Sequence, residues 1–191
     1  MPIQLGYACI NQHLSDTQKI TSSRTMRKAT FEKKGLPGVS ELIVSNLSSL
    51  HKIMMWNVAN GFKVYRMSST MVPWASEYSF EDLPDYKIIR RQFESIGQLA
   101  IENGIRLSFH PGQFVCLGSH NPRVVENSIL DLEIHGQIMD WMHQPRNHNA
   151  KINIHIGGAY NDKPGTAKRF LKIAELLSSA VYDRFTVEND D

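Results

Sequence analysis

Cysteine is scarce. The 191-residue chain has two, Cys9 and Cys116, which form no metal-type pair and cannot build a disulfide framework. A chain of this kind is expected in a reducing, intracellular compartment. Long apolar runs are missing as well, so no membrane span is expected, and Met1 is not followed by a signal-peptide pattern. A charge excess is missing: 21 Lys and Arg stand against 19 Asp and Glu, a net +2, too little to argue for a nucleic-acid partner by itself. The glycine fingerprints of phosphate binding are absent too. Gly157-Gly158 follows an apolar run but lacks the later glycine of a dinucleotide site and the Lys-Ser/Thr of a P-loop. Low-complexity linkers and strong internal repeats are not found. What is present is ordinary globular composition, 41% hydrophobic and 21% charged, in a chain long enough for one sizeable core.

The charge is unevenly placed. Lys19, Arg24, Arg27, Lys28, Lys33 and Lys34 face a single acid, Glu32, with Thr21, Ser22, Ser23, Thr25 and Thr30 between them. Cations neutralise phosphates and hydroxyls add hydrogen bonds, so such a segment could follow a nucleic-acid backbone. From charge alone, a solvated surface loop is the favoured reading.

The apolar periodicity alternates between strand and helix. Ile3 to Cys9 suits a buried strand. Ile43, Leu47, Leu50, Met54 and Val58 recur at helical spacing, with Ser40 as the N-cap and Asn60-Gly61 as the stop. Phe62 to Met67 predicts a second strand. A helix follows from Tyr86 to Asn103, carrying Ile89, Phe93, Ile96 and Ala100 and closed by Gly104. Ile105 to Phe109 is the third strand. Asn121-Pro122 opens a helix with Val125, Ile129, Leu132 and Met139 inward. Lys151 to Ile156 is the fourth strand. A helix from Pro164 turns Ala167, Phe170, Leu171, Ala174 and Leu177 inward, and Arg184 to Val187 is the fifth strand. Repeated strand–helix units imply parallel strands joined by right-handed crossovers. The α/β class follows, as either an open doubly wound sheet or part of an eight-unit barrel.

Polar residues gather at the expected strand ends: Tyr7 and Asn11, then Ser68, Ser69 and Glu77, then His110, then His155, then Glu188 to Asp191. Parallel strands open their C-terminal ends onto one face, so these side chains would converge. Imidazole nitrogen with carboxylate oxygen suits a divalent transition ion. Each histidine alone is more often a hydrogen-bonded structural residue than a ligand; three strand ends in succession shift the balance toward a site without deciding it. Phe109-His-Pro-Gly-Gln-Phe114 is more unusual. Proline and glycine after a strand-ending histidine force a sharp, stiff turn that would hold out an amide and an aromatic, Gln113 and Phe114. That pair could fill the gap left by displaced bases, or Phe114 could be a core anchor.

These stretches, taken together, resemble the UV damage endonuclease family. The matching segments are Gly6-Tyr7 with Asn11, Arg24 to Arg27, Asn57 to Gly61 with Val64-Tyr-Arg66, and Ser68-Ser69 with Pro73. They continue with Ser108 to Phe114, Ile152 to Tyr160 and Val187 to Asp191. The resemblance implies a TIM-type (β/α)8 barrel, of which residues 1–191 would be a single partial domain of about five βα units ending after strand five. It implies metal-dependent incision of double-stranded DNA 5′ of UV photoproducts, in the cell compartment that holds DNA, with divalent ions, manganese first and zinc or magnesium as alternatives. It implies His110, His155 and Glu188 as metal ligands and catalytic residues. It implies Gln113 and Phe114 as the lesion-probing pair, Tyr7 and Asn11 near the damaged nucleotides, and Arg24 and Arg27 on DNA. Glu77 stands where the family commonly has histidine, and would serve as an oxygen ligand if it binds metal at all. A further expectation is that the catalytic inventory is incomplete, with a missing C-terminal half or self-association through open barrel edges. The alternatives are an apurinic-site endonuclease, a sugar isomerase-like metal barrel, or a non-catalytic DNA-binding remnant.

Overall fold

A computed structural model describes residues 3–188. Its elements, in chain order, are β1 (Gly6–Ala8), α1 (Gln12–Gln18), α2 (Lys28–Ala59), β2 (Val64–Arg66), α3 (Tyr86–Glu102) and β3 (Arg106–Ser108). They continue as α4 (Pro122–Trp141), β4 (Ile152–His155), α5 (Lys163–Ala174), α6 (Ser179–Tyr182) and β5 (Phe185–Glu188). All strand pairs are parallel: β1 with β2, β2 with β3, and β4 with β5. A parallel bridge between Phe109 and Ile152 joins β3 to β4. The strands therefore lie side by side in chain order, without the reversal that marks the switch point of an open doubly wound sheet. No helix is long and apolar enough to cross a membrane.

Long helices on short strands follow from the sequence pattern. On α3, Ile89, Phe93, Ile96 and Ala100 are all buried, as their spacing predicts. On α2, Ile43, Leu47, Leu50 and Met54 are fully buried. On α4, Leu132 and Met139 are buried, and Asn121 caps the helix by accepting from the Arg123 N–H at 3.0 Å. One core joins α2, α3, β1–β3 and the later part of α4; a second gathers Leu132, Ile152, Ile154, Phe170 and Val181. Burial of these side chains removes apolar surface from water at roughly 25 cal/mol per Å² and supplies the main stabilisation.

Four expectations are corrected. The helix expected to begin at Ser40 begins at Lys28, so half of the basic segment is helical rather than loop. Gly35, at φ 57 and ψ −158, breaks the helix, and Pro37 then falls in the first turn beyond the break, where its missing N–H costs little. Ser40 is buried instead of capping its own helix. It donates to Asp85 Oδ2 at 2.8 Å and accepts from the Asp85 N–H at 3.0 Å, tying α2 to the start of α3. On α5 the inward face is Thr166, Phe170 and Ala174, while Leu171 is 62% exposed and Ala167 is exposed too. Phe170, Ala174 and Leu177 are buried as expected, so the correction is confined to Ala167 and Leu171; Asp162 caps the helix by accepting from the Gly165 N–H at 2.9 Å. Ile3 and Leu5 are exposed rather than part of a buried strand, since β1 has β2 as its only strand partner among the described residues. Arg184, expected in the fifth strand, precedes it and is wholly buried.

Candidate metal centre and nucleic-acid face

Strand register builds the centre. In a strand, residues two apart share a face, so Asn153 and His155 project together from β4, as do Thr186 and Glu188 from β5. The β4–β5 register sets Asn153 beside Thr186 and His155 beside Glu188. His110 arrives from the end of β3, two residues after Ser108. Its Nε2 lies 2.8 Å from Glu188 Oε2, and its Nδ1 lies 3.1 Å from the Pro111 carbonyl. The His110 and His155 rings meet edge to face with centroids 4.8 Å apart. One ligand atom from each of His110, His155 and Glu188 lies within 4.8 Å of the others.

The carboxylate is oriented by its neighbours. Asn153 Nδ2 donates to Glu188 Oε2 at 2.8 Å, and Thr186 Oγ1 donates to Asn153 Oδ1 at 2.8 Å. The hydrogen bond from His110 holds the Glu188 carboxyl below its ordinary range, helped by the nearby His155. Two imidazole nitrogens and an ionised carboxylate within this span are a donor set that fits a divalent ion such as manganese or zinc. Glu77 lies outside the cluster, exposed on the turn Ala75–Glu77. The Asn189 to Asp191 part of the acidic motif lies outside the described residues.

The loop leaving β3 presents the amide–aromatic pair. Gln113 is exposed and Phe114 is 83% exposed, which excludes Phe114 as a core anchor. The loop is pinned behind the pair, where the Cys116 N–H donates to Ser128 Oγ at 2.9 Å. Tyr7 is half-buried against Trp56, Phe62 and Tyr65. Its hydroxyl donates to Asn57 Oδ1 at 2.6 Å and accepts from Asn11 Nδ2 at 2.8 Å; burial raises its pKa above the ordinary value. Asn11 is buried and also caps α1 by accepting from the Leu14 N–H at 2.9 Å. Both ends of its amide are engaged within the chain, so it orients Tyr7.

The basic segment is built into the molecule. Arg24 donates to the Lys19 carbonyl at 3.0 Å and to Ser49 Oγ at 3.2 Å, which ties the segment to α2. Arg27 and Lys28 are exposed at the start of α2. Trp74 fixes this stretch by donating to the Met26 carbonyl at 3.1 Å and stacking on Phe31.

The chain is similar to known proteins along its whole length. A family model described as UV-endonuclease UvdE matches residues 3–191. The chain belongs to the UvdE family. A UV-damage endonuclease of Schizosaccharomyces pombe is 35% identical over 191 residues, covering 98% of this chain and 32% of that protein. A UV DNA damage endonuclease of Bacillus cereus is 32% identical over 198 residues, covering 100% of this chain and 60% of the relative. The crystal structure of SacUVDE superposes with a TM-score of 0.86 at 30% identity, covering all of this chain and 62% of that one. The chain thus spans about a third to three-fifths of the length of these UvdE relatives.

Two residues that bear on the site were not singled out from sequence. Asn153 orients Glu188; its signal was its position two residues before His155, on the same strand face. Arg184 anchors the start of β5, and nothing in the local pattern sets it apart from its polar neighbours Asp183 and Thr186.

Proposed function

We propose that this chain forms the first five units of a (β/α)8 barrel nuclease that incises double-stranded DNA 5′ of UV photoproducts. The observation that carries this is convergence. His110, His155 and Glu188 meet at the C-terminal ends of β3, β4 and β5, directly beside the loop that exposes Gln113 and Phe114. Sequential parallel strands support the barrel, since that fold places chemistry at this end of its strands.

His110, His155 and Glu188 would hold a divalent ion, manganese first, with zinc or magnesium as alternatives. A bound ion of this class polarises a phosphoryl oxygen and lowers the pKa of water. The chain's own residues do the rest. Asn153 and His110 fix the Glu188 carboxylate and keep it ionised at neutral pH. Phe114 is free to insert at a distorted base step while Gln113 offers an amide to the exposed base edges. Tyr7, aligned by Asn11 and Asn57, supplies a second aromatic. Arg27 and Lys28 neutralise backbone phosphates.

The test is paired. Manganese titration followed by electron paramagnetic resonance should show a protein-bound ion, lost in His110→Ala. Binding to a duplex with one cyclobutane dimer should exceed binding to the undamaged duplex, and nicking of UV-irradiated supercoiled plasmid with manganese measures incision. Equal affinity for the two duplexes, or a stronger preference for an abasic site, would sink the assignment.

A further inference from the structure

The function proposed above depends on how firmly Gln113 and Phe114 are held, and one residue that ties down their loop beyond the Ser128 contact lies on neither site loop. Arg169, half-buried on α5, donates from Nε to the Gly118 carbonyl at 3.0 Å and from Nη2 to Thr166 Oγ1 at 2.8 Å. Thr166 is 2% exposed and donates onward to the Ala159 carbonyl at 3.0 Å. Gly118 belongs to the loop that follows His110; Ala159 belongs to the loop that follows His155. One guanidinium therefore joins the two loops that leave the metal ligands.

The surroundings show close fitting at this junction. A Cβ on Gly118 would lie 2.9 Å from Thr166 Cγ2, so the loop backbone rests directly against α5. The Tyr160 ring sits over the Arg169 guanidinium at 5.8 Å and meets the His120 ring edge to face at 4.7 Å. Tyr160 and Asn161 both occupy the left-handed region, at φ 51 and φ 58. Two successive non-glycine residues in that region persist only where contacts over-determine the turn.

We infer that Arg169 is a positioning residue for lesion recognition: it braces the Gln113–Phe114 loop against the loop after His155. This rests on the photoproduct reading for its functional consequence, but not for the brace itself. Arginine suits the task because its planar fork reaches two acceptors at once, which lysine cannot reproduce.

The test uses the full chain with Arg169→Met and Arg169→Lys. Hydrogen exchange of residues 112–118 and 157–162 should quicken about tenfold or more in both variants, as expected when charged-donor hydrogen bonds that close a local opening are lost. The ratio of photoproduct-duplex to undamaged-duplex affinity should fall several-fold, while manganese affinity stays within about twofold. Unchanged exchange at 112–118 in Arg169→Met overturns the brace. Wild-type exchange and discrimination in Arg169→Lys overturn it also, since charge alone would then suffice. If the wild-type chain shows no photoproduct preference, the proposed function fails, and faster or unchanged exchange still decides for or against the brace.

Discussion

Asp140→Asn should destabilise the chain and loosen the candidate metal centre with it. Arg184 is fully buried, and its only carboxylate partner among the described residues is Asp140, at 2.8 Å from Nη1. The remaining donors go to main chain: Nε to the Pro145 carbonyl and Nη1 to the Ala180 carbonyl, at 3.0 and 2.8 Å, and Nη2 to the Gln144 carbonyl. Arg146 reaches the other carboxylate oxygen at 2.6 Å. Neutralising Asp140 leaves a buried cation without a counter-charge and a second cation beside it. Breaking a buried pair costs about 3–5 kcal/mol. The Asp140 side chain is 30% exposed, and the carbonyls still solvate the guanidinium, so about 2–3 kcal/mol is expected. At roughly 2–4 °C per kcal/mol for a chain of this size, Tm should drop by about 4–12 °C.

The pH dependence has a definite sign. Burial opposes ionisation of Asp140, but the hydrogen bonds from Arg146 and Arg184 outweigh it and hold the carboxyl below its ordinary value. A depressed carboxyl contributes stability that is complete above the unfolded value of about 3.9 and is lost as pH falls through the folded value. Denaturant unfolding of wild type and variant should differ most at neutral pH and converge in acid. Because Arg184 directly precedes β5, the strand that ends at Glu188, manganese affinity should weaken in the variant at temperatures where it stays folded. A stability difference under about 0.5 kcal/mol at pH 7 would refute the reasoning, showing that the carbonyls alone hold the guanidinium.

Other expectations follow from single contacts. Glu188→Gln should weaken manganese binding at least tenfold by titration, because it removes the cluster's one carboxylate among the described residues; Glu77→Ala should leave it within about twofold. Phe114→Ala should abolish preference for photoproduct duplex in a binding assay, yet shift unfolding by no more than about 0.5 kcal/mol, since the ring is 83% exposed. Gly97→Ala would place a Cβ 2.1 Å from the Met142 carbonyl oxygen where α3 meets the end of α4. A loss of about 2–3 kcal/mol in denaturant unfolding is expected from that overpacking; an unchanged midpoint would mean the two helices can separate without cost.

Helices were legible where one face met one core. The spacing of Ile89, Phe93, Ile96 and Ala100 leaves a single solution, and that face is buried. Starts were harder to read. Ser40 has the chemistry of an N-cap, and periodicity cannot distinguish a hydroxyl that caps its own helix from one that receives Asp85 of the next. Strand-end burial was harder still, because Ile3 and Leu5 read as core residues by type, whereas cover depends on neighbouring elements and not on anything within their own segment.

The centre was legible for a different reason. Parallel strands turn a linear pattern into a spatial one: His110, His155 and Glu188 are far apart in the chain, but each closes a strand, and adjacent strands bring their ends together. What spacing could not supply was rank among the polar residues. Asn11 and Arg24 read as DNA contacts, and spacing did not show that one also caps a helix and aligns Tyr7, or that the other also ties Lys19 to Ser49. Asn153 and Arg184 look incidental, yet one orients the carboxylate and the other anchors the strand that carries it. A polar side chain becomes available for function only after the local backbone and buried charges have taken what they need. That balance is set by tertiary neighbours, and Phe114 shows the converse: an aromatic that the core does not take stays exposed on its loop.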